Sequence, residues 1–173
     1  MESAPAQTEA PIMNAKPQKE HEWLHKLVGD WTYETVAPPE PGKPATNATG
    51  AESVRSLGGL WVLAEGRGEM PGGATATTLM TLGYDTDKKR YVGTWIGSMM
   101  TYLWVYDGEL DATGRILTLN SDGPTMAGDG KMTKYKDIIE FKSDDHRVLT
   151  ARVLAPDGTW QQFMSVDYRR KNR

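Results

Sequence analysis

The chain has no cysteine among its 173 residues. That excludes a disulfide framework, a thiolate metal ligand, a thiol nucleophile and an iron–sulfur cluster. It has no run approaching the ~20 apolar residues that a membrane-spanning helix requires. It has no excess of basic residues: 20 Lys and Arg stand against 23 Asp and Glu, a formal charge of -3. A nucleic-acid surface would need clustered positive charge, so nucleic acid is not an expected partner. Only three histidines are present. The opening, MESAPAQTEAPIMNAKPQ, lacks a basic stretch followed by an apolar one, so no secretory leader is read there and the cytoplasm is the expected compartment. Its Pro, Ala and polar content reads as a disordered tail over residues 1–18. Residues 19–173 are then expected to form one domain, a length that buries about 70% of its unfolded surface.

What the chain does have is glycine (18), tryptophan (6), tyrosine (7) and methionine (9). These fall in short runs of Val, Leu, Thr, Trp and Tyr broken by Gly, Asp and Pro, the pattern of strands and turns. One short helix is expected over about residues 18–28, ended by Gly29. Beyond it the strand runs are WTYETV, AESVRSL, LWVLAEGRGEM, TTLMTLGYD, RYVGTWIG, MMTYLWVYDGEL, RILTLNS, KMTKYKDIIEF, RVLTARVLA and TWQQFMSVDYRR. PPEPGKPATNATG (residues 38–50) reads as a Pro-broken loop. Short turn signals join successive strands at Asp85–Lys89, Asp111–Gly114 and Pro156–Gly158. Strands joined this tightly are antiparallel. About ten of them protect their edges most economically by closing into an all-β up-and-down barrel, with a two-sheet sandwich as the alternative.

The helix carries His21-Glu22-Trp23-Leu24-His25, the H-E-x-x-H spacing of zinc proteases. Residues four apart share a helix face, so two imidazoles there can reach one metal, with Glu22 as base. The longer signature with a further Gly and His is missing, and the remaining histidine, His146, sits in a polar SDDHR turn. The reading preferred is a covering helix whose Leu24, Leu27 and Val28 pack inward while its His and Glu side chains stay in water. No metal and no cofactor is expected. Haem would need an axial ligand inside a cavity, and His146 reads as an exposed turn residue.

Three blocks, HEWLHKLVGDWTYE, MTLGYDTDKKRYVGTWIGSMMTYLWVYDGELDATGRILTL and MSVDYRR, resemble the bacterial family known as domain of unknown function 1579. The likeness spans most of residues 19–171. It implies a calycin-type, lipocalin-like barrel and assigns no reaction. The family pattern has Trp-x-Asp-Ser after its YVGTW segment. This chain has Trp95-Ile96-Gly97-Ser98 instead, so the carboxylate is absent. Calycins also carry Gly-x-Trp on the first strand, with the Trp packed near an Arg of the last. Gly29-Asp30-Trp31 matches the first half, and Arg169 or Arg170 would supply the second as a structural closure.

The functional expectation is a cavity binding a small, mostly apolar or amphipathic molecule without chemistry. Candidate wall residues are Trp61, Trp95, Met99, Met100, Tyr102, Trp104 and Met164. Tyr168 and Arg170, sharing parity with Met164, are candidates to hold an anionic or carbonyl head group. A hydrolase-type enzyme is the alternative, with Glu65, Glu69, Tyr84, Asp85 and Asp107 as titratable candidates. Asp85 and Asp107 are better explained by turns, and Ser98 has no histidine within reach on the neighbouring strands. A structural or protein-interaction barrel, a homodimer among its forms, is the remaining reading.

Overall fold

In the computed structural model the described residues are 14–36, 47–70 and 73–171. They form a closed barrel of ten antiparallel strands in sequence order, sealed where the first strand pairs with the last. A short helix, α1 (Lys19–Leu24), runs through one 3₁₀ turn (His25–Leu27) into β1 (Gly29–Val36). Then follow β2 (Asn47–Leu57), β3 (Trp61–Glu69), β4 (Thr75–Asp85), β5 (Arg90–Gly97), β6 (Trp104–Leu110), β7 (Ile116–Pro124), β8 (Met132–Ser143), β9 (His146–Leu154) and β10 (Trp160–Arg170). The up-and-down barrel with its N-terminal helix is therefore the fold that strand count and turn spacing led us to expect.

Three boundaries differ from the sequence reading. The helix expected over about 18–28 and ended by Gly29 stops as an α-helix at Leu24, and Gly29 opens β1. The loop expected over 38–50 gives way to strand at Asn47, because residues 47–50 complete the ladder opposite Val36 to Tyr33. Residues 37–46 lie outside the described residues, as do residues 1–13 of the expected tail. The strand expected from Met99 begins only at Trp104, which pairs with Trp95. Met99 to Leu103 instead carry the chain across the rim, so Met100 and Tyr102 are connection residues rather than strand neighbours of Trp104.

Turn chemistry sets the hairpins. Asp85 Oδ1 accepts the backbone N–H groups of Asp87 and Lys88, and Asp111 Oδ1 accepts those of Arg115 and Ile116. The Asp111 turn needs a left-handed residue, which Gly114 supplies with φ 71°.

Period-two alternation puts one residue in two inside. On β7 these are Leu117, Leu119, Ser121 and Gly123; on β9, Arg147, Leu149 and Ala151. The core is not uniform along the barrel axis. At the helix end Leu24, Leu27, Trp31, Val62, Leu82, Leu117, Leu119 and Ile139 pack without appreciable exposure. The helix closes that end: the Trp23 indole N–H donates to the Gly114 carbonyl at 2.7 Å, and its ring meets Tyr91 and Phe141 edge-on.

Trp31 is the keystone of the closure. It is 0% exposed, and its indole N–H donates to the Leu27 carbonyl at 2.8 Å. The Arg170 guanidinium lies 4.2 Å from its ring centroid, and that of Arg147 lies 4.6 Å away. Arg170 also donates to the carbonyls of Val28, Lys26 and Asp144. Of the two arginines considered for this pairing, Arg170 makes it, and Arg147 of β9 is a second cation that the sequence reading did not find.

Candidate functional site

The His-Glu helix is a cap. His21 is buried, not wet, which corrects the expectation for its side chain. Its Nδ1 accepts the Gln18 backbone N–H at 2.9 Å, so its Nε2 bears the proton and donates to the Tyr84 carbonyl 3.1 Å away. Both ring nitrogens are thus occupied by backbone groups, and no lone pair remains for a metal. His25, the other half of the motif, is exposed. Among the described residues no group of three or more His, Cys, Asp or Glu side chains is placed to hold a metal ion. His146 lies at the start of β9, with Nε2 2.7 Å from the Asp167 carboxylate.

The opposite end of the barrel is built differently. Inward-facing residues there keep part of their surface accessible: Tyr33 on β1, Glu52 on β2, Thr78 and Met80 on β4, Trp95 on β5, Asp137 on β8, and Phe163 and Met164 on β10. Asp137 lies one alternation further in than Tyr135 on β8 and is only partly accessible. Above that level lies a chain of aromatic contacts: Tyr102 to Trp104 at 5.0 Å, Trp104 to Tyr135 at 4.9 Å and Tyr135 to Phe163 at 6.1 Å, all edge-on. Tyr135 is tied by its hydroxyl to the Pro124 carbonyl, Tyr102 to the Asp122 carbonyl, and the Trp104 indole N–H to the Met100 sulfur at 3.2 Å.

Glycines make room for these rings. A side chain at Gly123 would overlap the Trp104 ring, and a Cβ at Gly97 would lie 2.7 Å from the Trp95 ring. Gly97 stands where the family pattern has Asp. In this chain the space belongs to Trp95 and to the Met99 side chain folded beside it.

Beneath the aromatic rim is a layer of polar groups. The Tyr106 hydroxyl donates to Asp137 Oδ2 at 2.5 Å. Glu52 and Arg147 form an ion pair. The Arg147 guanidinium stacks 3.8 Å from the Tyr168 ring, and Tyr168 meets Tyr33 at 5.5 Å. Arg147 Nε is buried and has no hydrogen-bond partner among the described residues. Burial raises the Asp137 carboxyl above the usual carboxylate range, against the opposing pull of the Tyr106 hydrogen bond. Burial likewise raises the Tyr106 and Tyr168 phenols, so both stay protonated. A cavity of about 20 Å³ lies between this layer and the plug, lined by residues including Leu27, Glu52, Arg147 and Tyr168. That is room for one water molecule. A larger guest does not fit at this level, and the larger hollows, about 860 Å³ and 410 Å³, are lined mostly by outward residues of β1–β3 and of β6–β8.

The sequence candidates divide accordingly. Trp95, Trp104 and Met164 lie on the inward face of the open half, with Met100 and Tyr102 on its rim. Tyr168 sits in the polar layer. Trp61 does not join them: its ring covers Gly83 on the outer wall, because the inward position of that strand goes to Val62. Arg170 does not either, being held at the closed end by carbonyls and Trp31. Of the enzyme candidates, Glu65 pairs with Arg67 and Asp107 with Arg90 outside the barrel, and Asp85 caps its turn. Ser98 Oγ accepts the Thr77 backbone N–H. Missed in the sequence were Asp137, Tyr106, Tyr33 and the Glu52–Arg147 pair. The signal was parity: Asp137 alternates with Tyr135, Ile139 and Phe141, and Arg147 with Leu149 and Ala151, so each is a charge on an apolar face.

A family model described as "Protein of unknown function (DUF1579)" matches residues 16–170. The chain belongs to this family. None of the curated proteins compared with it matches. Among solved structures, Rv2717c from M. tuberculosis superposes with a TM-score of 0.62 at 11% identity, over 91% of this chain and 100% of that one. At that identity the likeness concerns the fold alone. Two redesigned β-barrels align more loosely. One, mFAP1 bound to DFHBI, has a TM-score of 0.43 at 13% identity, over 88% of this chain and 100% of that one. The other has a TM-score of 0.46 at 9% identity, over 91% and 100%.

Proposed function

We propose that this DUF1579 member binds a small, mostly apolar molecule in the open half of its barrel, without chemistry. The observation that carries the reading is the one-sided interior. Inward residues at the helix end are sealed, whereas several at the far end, Trp95, Trp104, Phe163 and Met164 among them, remain partly accessible. A concave apolar wall with a few fixed polar groups is the general form of a small-molecule site. Trp95, Trp104, Phe163 and Met164 supply the wall, and Met80 and Met164 add side chains that adapt to irregular shapes. Asp137, Tyr106 and Tyr168 supply the floor.

The test is titration with phenylnaphthylamine, an uncharged apolar dye that brightens out of water. Saturable one-to-one binding is expected. Trp104→Ala is expected to weaken it about tenfold, equivalent to ~1.4 kcal/mol, and Trp61→Ala, on the outer wall, to leave it unchanged. Unsaturable binding, or equal weakening by both substitutions, overturns the reading and favours a structural or partner-binding barrel.

A further inference from the structure

We infer that the ligand of this site carries a protonated amine or a comparable N–H cation, received by Asp137 beneath the aromatic rim, and is not an anion. This deepens the reading above and rests on it. The sequence alone suggested an anionic or carbonyl head group held by Tyr168 and Arg170, and the placement of Arg170 at the closed end removes the cation that suggestion needed.

The charge inventory of the interior decides the sign. Arg147 is the Lys or Arg of the polar layer, Arg170 lying at the closed end, and it is already committed: Glu52 pairs with it, and the rings of Tyr168 and Trp31 cover its guanidinium. Asp137 has no cationic partner among the described residues. Its Oδ2 takes the Tyr106 hydroxyl, and its Oδ1 has no hydrogen bond to the described residues. Glu52 and Arg147 offset each other, which leaves Asp137 as the carboxyl of this layer with no cation beside it among the described residues. An anion entering here would meet an uncompensated carboxyl in a water-poor space, whereas a cation would complete a pair.

The neighbours fit the same sign. The Tyr168 hydroxyl, on a residue more than nine-tenths buried, has no hydrogen-bond partner among the described residues, and the Tyr33 hydroxyl has none either. Each has lone pairs that accept an N–H. Trp104, Tyr135 and Phe163 stand above Asp137 in mutual edge-on contact, and aromatic faces attract an organic cation within ~6 Å. Acceptors below and ring faces above make a receptor for an ammonium group attached to an apolar body.

Burial holds the Asp137 carboxyl above its ordinary range, and its ionised form is the one that an ammonium group pairs with, so affinity for an amine rises with pH as Asp137 ionises. The titratable groups that interact with Asp137 are Tyr106 of β6 and Tyr168 of β10, and beyond Tyr168 lie Tyr33 of β1 and the Glu52–Arg147 pair of β2 and β9. The phenols of Tyr106, Tyr168 and Tyr33 are all raised and stay protonated through neutral pH.

The experiment compares naphthylmethylamine, naphthalenemethanol and naphthoate by calorimetry on the intact chain. These probes share one ring system and differ in charge. The amine is expected to bind at least about tenfold more tightly than the alcohol, with naphthoate weakest. In Asp137→Asn, which keeps an acceptor for Tyr106, the amine's advantage is expected to fall within about twofold while the alcohol is unchanged. In the unmodified protein, amine affinity is expected to rise with pH, from above the ordinary carboxylate range upward, while the alcohol stays flat, a result that does not depend on the variant folding. Equal or tighter binding of alcohol or naphthoate, an amine preference that survives Asp137→Asn, or a flat amine profile overturns the inference and leaves the binding function standing. Failure of all three probes to bind overturns the binding function itself.

Discussion

The two ends of this barrel are made from the same residue types and behave as opposites. At the helix end, Trp23, Trp31, Tyr91 and Phe141 are buried, with each indole N–H held by a backbone carbonyl. At the other end, Trp95, Trp104, Phe163 and Met164 face the same interior and keep surface to spare. An aromatic residue is therefore no indication of function by itself in this fold. What separates structure from site is whether the chain supplies a cover. Among the described residues it supplies one helix and places it at one end, and the aromatic surface at the other end keeps part of its exposure. The polar layer marks the boundary between the two regimes.

The first way to break the comparison is to remove the keystone of the closed end. Trp31→Ala deletes a fully buried indole, its bond to the Leu27 carbonyl and the surface that two guanidiniums cover. We expect a loss of about 3–5 kcal/mol in denaturant unfolding. A loss below ~1 kcal/mol would show that the helix end is not where the barrel's stability resides, and the distinction between the two ends would fail.

A smaller effect is expected at His21. Its ring accepts the Gln18 N–H and donates to the Tyr84 carbonyl, tying the helix to β4. His21→Ala leaves both backbone groups to find water at the rim of the plug. The expected cost is about 1–2 kcal/mol, in the range of a lost helix cap, whereas His25→Ala, at an exposed position, is expected to stay within about 0.5 kcal/mol. Equal costs at the two histidines would mean that the motif acts as a pair, and a shared ligand would return to consideration.

The fold was legible in the sequence because its signals are local. Gly, Asp and Pro mark hairpins within a few residues, and ten such runs in order leave little besides closure. The Gly29-Asp30-Trp31 segment was legible through the family pattern. The site was legible only in part. Trp95, Trp104 and Met164 could be picked out as aromatic or thioether residues, but inside and outside differ by a single step of parity. Trp61 fell on the wrong side of that step. Arg170 had the right parity at the wrong height. Height along the axis depends on strand tilt and on where the helix seats, neither of which is written in any one strand. The polar floor escaped for a related reason: Tyr106, Asp137, Arg147 and Glu52 lie on four different strands, and only closure brings them together.

The smallest expected effect sharpens the comparison most. Met100 sits on the open rim, 44% exposed, and its sulfur accepts the Trp104 indole N–H. Its exposure and its position outside any strand mean that Met100→Ala removes little buried area, so stability is expected to change by less than about 0.5 kcal/mol. The same substitution frees Trp104 from a thioether contact that holds its ring orientation, and it removes an adaptable side chain from the entrance. Affinity for phenylnaphthylamine is therefore expected to fall about two- to fivefold, less than for Trp104→Ala. At the closed end a substitution is expected to change unfolding and binding together, because binding requires the folded barrel. At Met100 binding alone is expected to move. An unfolding curve shifted as far as that of His21→Ala would place the rim within the stabilising core, and the open half would then be a second plug rather than an entrance.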